Sequence, residues 1–167
     1  LAAAARDAGM AVSFFVTGMH LMDRYGRTKL EVGRFPGAEV FEFQNQREGD
    51  PQDMILAKTV VGFSDFLTEH RPDLAVVHGD RIEALACALV CATNYVRSAH
   101  VEGGEVSGTI DEVFRHCNSK LATHHFVSSA EAAMTPELQR LSVRAAPSAS
   151  AASTMRSRPE WSRISRP

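Results

Sequence analysis

The chain has 167 residues, about the length of one domain, and 44% of them are hydrophobic, which is enough for a buried core. Its formal net charge is −2, so the sequence lacks the strongly basic character of most nucleic-acid-binding domains. No apolar run approaches the roughly 20 residues that span a bilayer. Its 3 cysteines do not form an even disulfide framework. We therefore expect a cytoplasmic protein that binds neither nucleic acid nor membrane.

Five apolar runs have the composition of β-strands. Residues 10–17 are rich in β-branched and aromatic side chains and end at Gly18. In residues 39–43 the alternation of a strand places Val40 apart from Phe41 and Phe43. The remaining predicted strands are residues 74–77, 95–101 and 125–127.

Helical patterns separate these runs. Asp50 and Pro51 are favoured start signals, at the N-cap and in the first turn, for a helix that ends before Pro72. Its predicted apolar stripe is Leu56, Val60, Phe63 and Leu67, and that of the next helix is Ile82, Leu85, Ala86 and Leu89. Further helices are expected over residues 111–122 and from Ser128 or Ser129. This alternation predicts an α/β fold, a Rossmann-like parallel sheet with flanking helices.

The end of the chain differs in composition. Residues 142–167 are rich in Ala, Ser, Arg and Pro, with five arginines and one acid, and show neither a helical nor a strand period. We expect this tail to be disordered and residues 1–141 to form the folded part.

Several common catalytic and cofactor motifs are absent from the sequence. It has no Walker loop, no Gly-x-Gly-x-x-Gly and no Gly-x-Ser-x-Gly. Cys87 and Cys91 lie four apart on a predicted helix, but no further ligands follow at a suitable spacing, so we interpret them as small apolar residues facing a core. We expect no metal and no other cofactor.

Residues 100–111 are the most informative stretch. They hold the carboxylates Glu102, Glu105 and Asp111 together with three glycines, directly after a predicted strand. Such acids are rarely buried unpaired. Polar clusters also follow two other strands, at residues 18–20 and 78–81. Ligands of parallel α/β sheets bind at the carboxyl ends of strands, so the three clusters predict one site.

Each of these residues also has a structural interpretation. Asp80 could pair with Arg81, and His78 could be an ordinary core histidine. Thr109 or Asp111 could be merely an N-cap, with Arg115 in a helix-surface pair. The functional interpretation is that carboxylates facing one cleft act as acid and base. The N–H groups at residues 107–109, where a helix begins, would suit a phosphate.

Several motifs occur in a fixed order along the chain. They are Thr17-Gly-Met-His20-Leu, Tyr25-Gly26, His78-Gly-Asp80-Arg81, the run from His100 to Glu112, Arg115-His116 and Lys120-Leu121. With these motifs the sequence resembles the hydrolysing UDP-N-acetylglucosamine 2-epimerases of sialic acid biosynthesis over about residues 10–131. Non-hydrolysing epimerases share the His-Gly-Asp and His-Val-Glu elements but have an Ala-Gly-Leu-Arg-type segment in place of residues 103–106.

The resemblance implies a two-lobed fold of the glycosyltransferase-B type with a UDP-sugar between the lobes. By motif, Asp80, Glu102 and Asp111 would be the catalytic carboxylates, and which of them removes the C2 proton stays open. The residues that would bind or support the substrate are His20, His78, Arg81, Ser107, Arg115 and His116. Residues 1–141 would be a partial N-terminal lobe without the family's first strand, inactive alone, from an intact enzyme that is a homo-oligomer.

The sequence leaves two alternative functions open. One is a hydrolysing 2-epimerase for a diacetamido-trideoxyhexose UDP-sugar. The other is a non-catalytic module that binds sugar nucleotides or another subunit.

Overall fold

A computed structural model describes residues 1–135 and the backbone of two short strands beyond them. The helices are α1 Ala2–Asp7, α2 Lys29–Val32, α3 Gln52–His70, α4 Ile82–Thr93, α5 Ile110–Leu121 and α6 Ala130–Ala133. The strands are β1 Ser13–Thr17, β2 Glu39–Phe43, β3 Ala75–His78, β4 Ser98–Val101, β5 His124–Phe126, β6 Arg144–Ala145 and β7 Thr154–Arg156. Two short 3₁₀ turns, Gly18–Leu21 and Asp23–Tyr25, follow β1.

The strands form two sheets with flanking helices, which confirms the predicted fold class. β1 and β2 pair in parallel, and β3, β4 and β5 form a second parallel set. β7 adds antiparallel to β5, and β6 adds antiparallel to β7. The expected arrangement was one sheet, whereas β1 and β3 are not hydrogen-bonded to each other.

The core lies where α3 and α4 pack on both sheets. Phe63 and Phe66 of α3 are each 5% exposed and contact Val90 and Cys91 of α4, with Phe15 of β1 packed against them. Phe15 makes an edge-to-face contact with Phe63, with ring centroids 5.0 Å apart. Aromatic pairs of this kind contribute about 0.5–1.5 kcal/mol beyond their buried area.

Helix α3 ends as predicted but begins one residue later than expected. Pro51 occupies the N-cap position, and the Asp50 carboxylate instead accepts from the backbone N–H of Arg47 at 3.1 Å and from Lys58 Nζ at 2.7 Å. The predicted stripe is correct at Phe63 and Leu67, which are buried, whereas Leu56 and Val60 are half-buried.

In α4 the prediction of Leu89 as a core residue is wrong, since its side chain is 39% exposed. Ile82 and Ala86 are buried as predicted. Burial raises the pKa of the Cys91 thiol to about 12, so it stays neutral and apolar in character. Cys87, Cys91 and Cys117 are all free thiols.

Most of the tail, residues 142–167, lies outside the described residues, and its disorder stays a prediction. In the part of the chain that the structure describes, no helix is both long and apolar enough to cross a membrane.

Candidate functional site

The carboxyl ends of β3, β4 and β5 lie in register at one edge of the larger sheet. Val101 pairs with His78 on one side and with Phe126 on the other. The pairing continues one residue past each strand, because Gly79 N–H donates to Val101 O at 3.0 Å and Glu102 N–H donates to Phe126 O at 2.8 Å. The two loops that carry the predicted acids therefore leave the sheet side by side, as the strand-end argument predicts.

Asp80 is held by Arg115 of α5. Arg115 Nη2 donates to Asp80 Oδ2, and the two side chains are 8% and 25% exposed. The structural alternative in which Asp80 pairs with Arg81 does not hold, since the Arg81 guanidinium instead approaches Met19 Sδ at 3.5 Å. The alternative of an ion pair on the helix surface does not hold for Arg115 either. Its side chain is buried and connects α5 to the end of β3.

His78 and Glu102 form the second pair at this edge. His78 Nε2 lies 2.9 Å from Glu102 Oε2, with the side chains 65% and 51% exposed. His78 is therefore not a core histidine. Glu102 has a φ of 65°, a conformation that costs a non-glycine residue roughly 1–2 kcal/mol. Strain of this kind persists where the surroundings impose it, which is common at functional sites.

Glu105 is tied to both neighbouring elements. Its carbonyl accepts from Arg115 Nη1 at 2.8 Å, and its carboxylate accepts from the Ser128 hydroxyl. Arg115 thus bridges Asp80 and the backbone of the acidic loop. Each of these acids has its own partner, and they do not form a shared cluster.

The backbone N–H groups just before α5 have a hydrogen-bond partner within the chain. Thr109 is the N-cap residue but makes no side-chain capping bond. Glu112, in the first turn, accepts from the N–H of Gly108 at 2.5 Å and of Ser107 at 2.7 Å. These two backbone bonds hold the pKa of the Glu112 carboxyl below its usual value. The N–H groups expected to face a phosphate therefore already hold a carboxylate, and Ser107 Oγ lies 3.2 Å from Thr109 Oγ1.

Besides Arg81 and Ser107, three further predicted site residues are not joined to these pairs. Asp111 lies in the first turn of α5 and, within residues 1–135, makes no side-chain hydrogen bond or ion pair. His116 has a buried Nε2 without a hydrogen-bond partner among the described residues. His20 Nδ1 lies 2.6 Å from Thr28 Oγ1 on the exposed turn after β1. That turn is nevertheless near the site, through the contact of Met19 with Arg81.

Three polar residues beneath the edge were missed by sequence reasoning. His100, Asn118 and Ser119 are all fully buried. One signal was available, since His100 stands inside an apolar strand two residues before Glu102, at a position predicted to be buried. Asn118 and Ser119 gave no signal, because polar residues on a helix are ordinarily assigned to its exposed face.

The fold matches part of solved UDP-GlcNAc 2-epimerases, which are glycosyltransferase-B-like. The UDP-GlcNAc 2-epimerase from Neisseria meningitidis bound to UDP-GlcNAc matches with a TM-score of 0.59 at 16% identity, over 81% of this chain and 44% of that chain. The Methanocaldococcus jannaschii UDP-GlcNAc 2-epimerase in complex with UDP-GlcNAc and UDP matches with a TM-score of 0.57 at 17% identity, over 78% of this chain and 43% of that one.

The sequence model of the UDP-N-acetylglucosamine 2-epimerase family matches residues 2–141, and the chain belongs to this family. A Neisseria meningitidis UDP-N-acetylglucosamine 2-epimerase is 42% identical over 123 residues, which are 74% of this chain and 33% of that protein. A Legionella pneumophila hydrolyzing UDP-N,N'-diacetylbacillosamine 2-epimerase is 34% identical over 122 residues, 71% of this chain and 32% of that protein. The chain thus spans about a third of the length of these curated relatives.

Proposed function

We propose that this chain supplies the N-terminal side of the active site of a hydrolysing UDP-N-acetylglucosamine 2-epimerase. The overall reaction would convert UDP-N-acetylglucosamine and water to N-acetylmannosamine and UDP. The observation that carries the proposal is the arrangement at the carboxyl edge of the sheet, where Asp80 is held by Arg115 and Glu102 is paired with His78. Two separately held carboxylates on adjacent loops suit proton transfer at two points of one substrate.

The chemistry proceeds in two stages. A carboxylate removes the C2 proton while the bond from C1 to the UDP oxygen breaks, which gives a glycal and UDP. Water then adds to C1, and a proton is delivered to C2 from the opposite face. Glu102 and Asp80 are the candidates for these transfers, and His78 can exchange a proton with Glu102 across 2.9 Å. Asp111 remains the third candidate, with a carboxylate that no partner in residues 1–135 engages.

The hydrolysing type is favoured by the segment after Glu102. Gly103-Gly104-Glu105-Val106 follows the hydrolysing pattern, and this segment is fixed through the bonds of Glu105 to Arg115 and Ser128. A second substrate is supported by two relatives named for diacetylbacillosamine sugars, at 34% and 31% identity. We propose UDP-N-acetylglucosamine first, since the relative named for it is 42% identical.

The intact enzyme is proposed to be a cytoplasmic homo-oligomer, and the 167 residues alone are proposed to be inactive. Proximity and orientation supply much of an enzyme's rate, and these residues form one side of a cleft. The activity test therefore needs a complete cleft. It uses a chimaera in which residues 1–141 replace the matching third of the N. meningitidis relative.

The experiment incubates the chain and the chimaera separately with UDP-N-acetylglucosamine and with the diacetamido UDP-sugar, and identifies the products. We expect N-acetylmannosamine and UDP from the chimaera and no turnover from the chain. A product that stays nucleotide-linked would make the type non-hydrolysing, and a chimaera that binds the sugar nucleotide without turnover would favour a non-catalytic module. Asp80→Asn, Glu102→Gln and Asp111→Asn should each cut turnover by about 100-fold or more. The matched control Glu31→Gln, at an exposed acid on α2, should not.

A further inference from the structure

His100 of β4 lies directly beneath the candidate site and has both ring nitrogens bonded. Its side chain is 0% exposed, with Nε2 2.9 Å from Gly79 O and Nδ1 3.0 Å from Ser119 Oγ. A carbonyl oxygen can only accept, so Nε2 carries the proton. In the neutral ring Nδ1 then accepts from the Ser119 hydroxyl. The contacts thus require one tautomer.

The Gly79 carbonyl receives two buried donors. Asn118 Nδ2 reaches it at 3.2 Å in addition to His100 Nε2, while Gly79 N–H donates to Val101 O. Gly79 has a φ of 78°, which its lack of a side chain permits. The peptide groups on both sides of Gly79, directly before Asp80, are therefore held by hydrogen bonds, one from the neighbouring strand and two from the buried side chains.

The loop that carries Glu102 also packs against His100, together with Ser119. Gly103 is buried, and a Cβ added to it would lie 2.9 Å from Ser119 Oγ and 3.1 Å from His100 Nδ1. The backbone immediately after Glu102 thus packs against His100 and Ser119 with no room for a side chain.

We propose that His100 is a positioning residue that sets the loop carrying Asp80 and the loop carrying Glu102 relative to each other. It touches neither carboxylate and acts through the Gly79 carbonyl and the Gly103 backbone. The inference rests on the proposed function, in which the two acids serve one substrate. It differs from a general packing role, because a packing residue would affect the whole core and would not need a particular nitrogen.

The test compares His100→Gln with His100→Asn in the 167-residue chain. The Gln amide can place a donor near the position of Nε2, whereas the shorter Asn amide reaches only the level of Nδ1. Amide hydrogen exchange of Gly79 and Glu102 is measured against that of Phe63 in α3. We expect His100→Asn to speed exchange of the two loop amides about tenfold, His100→Gln to stay within about threefold, and Phe63 to be unchanged in both.

Equal effects of the two variants, or equal acceleration at Phe63, would overturn the proposal. A measurement on the unaltered chain needs no variant to fold: imidazole ¹⁵N shifts should show the proton on Nε2, and a proton on Nδ1 would contradict the Gly79 contact. Titration of the chimaera with UDP-N-acetylglucosamine separates this inference from the proposed function. We expect the affinity of the chimaera to be about tenfold weaker with His100→Asn and within about threefold with His100→Gln. If the chimaera with unaltered His100 fails to bind, the failure counts against the proposed function, and hydrogen exchange still decides the role of His100.

Discussion

Arg115 of α5 donates to the Asp80 carboxylate at the end of β3 from a side chain that is only 8% exposed. The same guanidinium donates to Glu105 O at 2.8 Å. One buried cation therefore fixes the position of a catalytic candidate and the loop beside it, since the planar guanidinium can serve two acceptors at once.

We predict that Arg115→Ala destabilises the chain by about 2 kcal/mol, less than for a fully buried pair because Asp80 keeps some contact with water. Arg115→Lys should recover only part of the loss, since an ammonium cannot reproduce the fork. Urea unfolding measures both. Arg27, paired with Asp23 at the surface, is the matched control, and Arg27→Ala should have little effect. Similar losses of unfolding free energy in Arg115→Ala and Arg27→Ala would show that the Asp80 pair stabilises the fold no more than a surface pair does.

Glu102 should show a conflict between stability and activity. Its φ of 65° is strained for glutamate and relaxed for glycine, so Glu102→Gly should stabilise the chain by about 0.5–1 kcal/mol. Glu102→Gln keeps the strain and should leave stability nearly unchanged. Both variants should lose turnover in the chimaera because both lack the carboxylate. Thermal unfolding with an activity assay checks this, and a destabilised Glu102→Gly would mean that the His78 contact outweighs the strain.

Much of this edge could be predicted because strand ends are marked in the sequence. The apolar runs ending at His78 and Val101, each followed by acid and glycine, were sufficient to predict that the two acidic loops lie at the same edge of the sheet. The partner of Asp80 could not be predicted. Adjacent residues suggested Arg81, but the direction of each side chain depends on how α5 packs against the sheet.

The division of the strands into two sheets and the burial of polar residues could not be predicted from sequence patterns either. Hydrophobic periodicity assigns strands but does not reveal which edges pair, so the lack of pairing between β1 and β3 was not predicted. Gly62 lies in the middle of α3, although glycine is unfavourable inside a helix. In the structure the Phe43 ring occupies the place of its missing side chain, which only the packing of β2 on α3 reveals.

Gly103 should not tolerate even a methyl group. Gly103→Ala would press on Ser119 Oγ and His100 Nδ1, and we expect a loss of about 1–3 kcal/mol, typical of overpacking. Gly33 is a matched control, because it also lacks a positive φ and its added Cβ would meet nothing closer than 3.8 Å. Gly33→Ala should be neutral or slightly stabilising. The midpoints of denaturant unfolding of the two variants are compared. Equal midpoints for Gly103→Ala and Gly33→Ala would show that the backbone at Gly103 has room for a side chain.

The free energy of unfolding should decrease as the pH is lowered below about 6.5. Burial, with smaller contributions from His100 and His124, lowers the pKa of His125 to about 4, and burial also lowers the pKa of His100. Both are neutral in folded and unfolded chains above pH 6.5, so they add no pH dependence there. Below it the unfolded chain binds protons first, and His125 alone should cost about 3 kcal/mol by pH 4.

Unfolding free energies measured from pH 7 to pH 4 test this. His125→Leu should flatten the decline, while His20→Leu, at an exposed histidine, should leave it intact. A decline of equal slope in His125→Leu would assign the acid sensitivity to other groups.

The most direct test of the central claim is the fate of the C2 hydrogen. The chimaera is incubated with UDP-N-acetylglucosamine in D₂O, and the released sugar is analysed by mass spectrometry and NMR. Elimination and re-addition predict free N-acetylmannosamine with one deuterium at C2, together with UDP. A released sugar without deuterium at C2, or with unchanged C2 configuration, would contradict it.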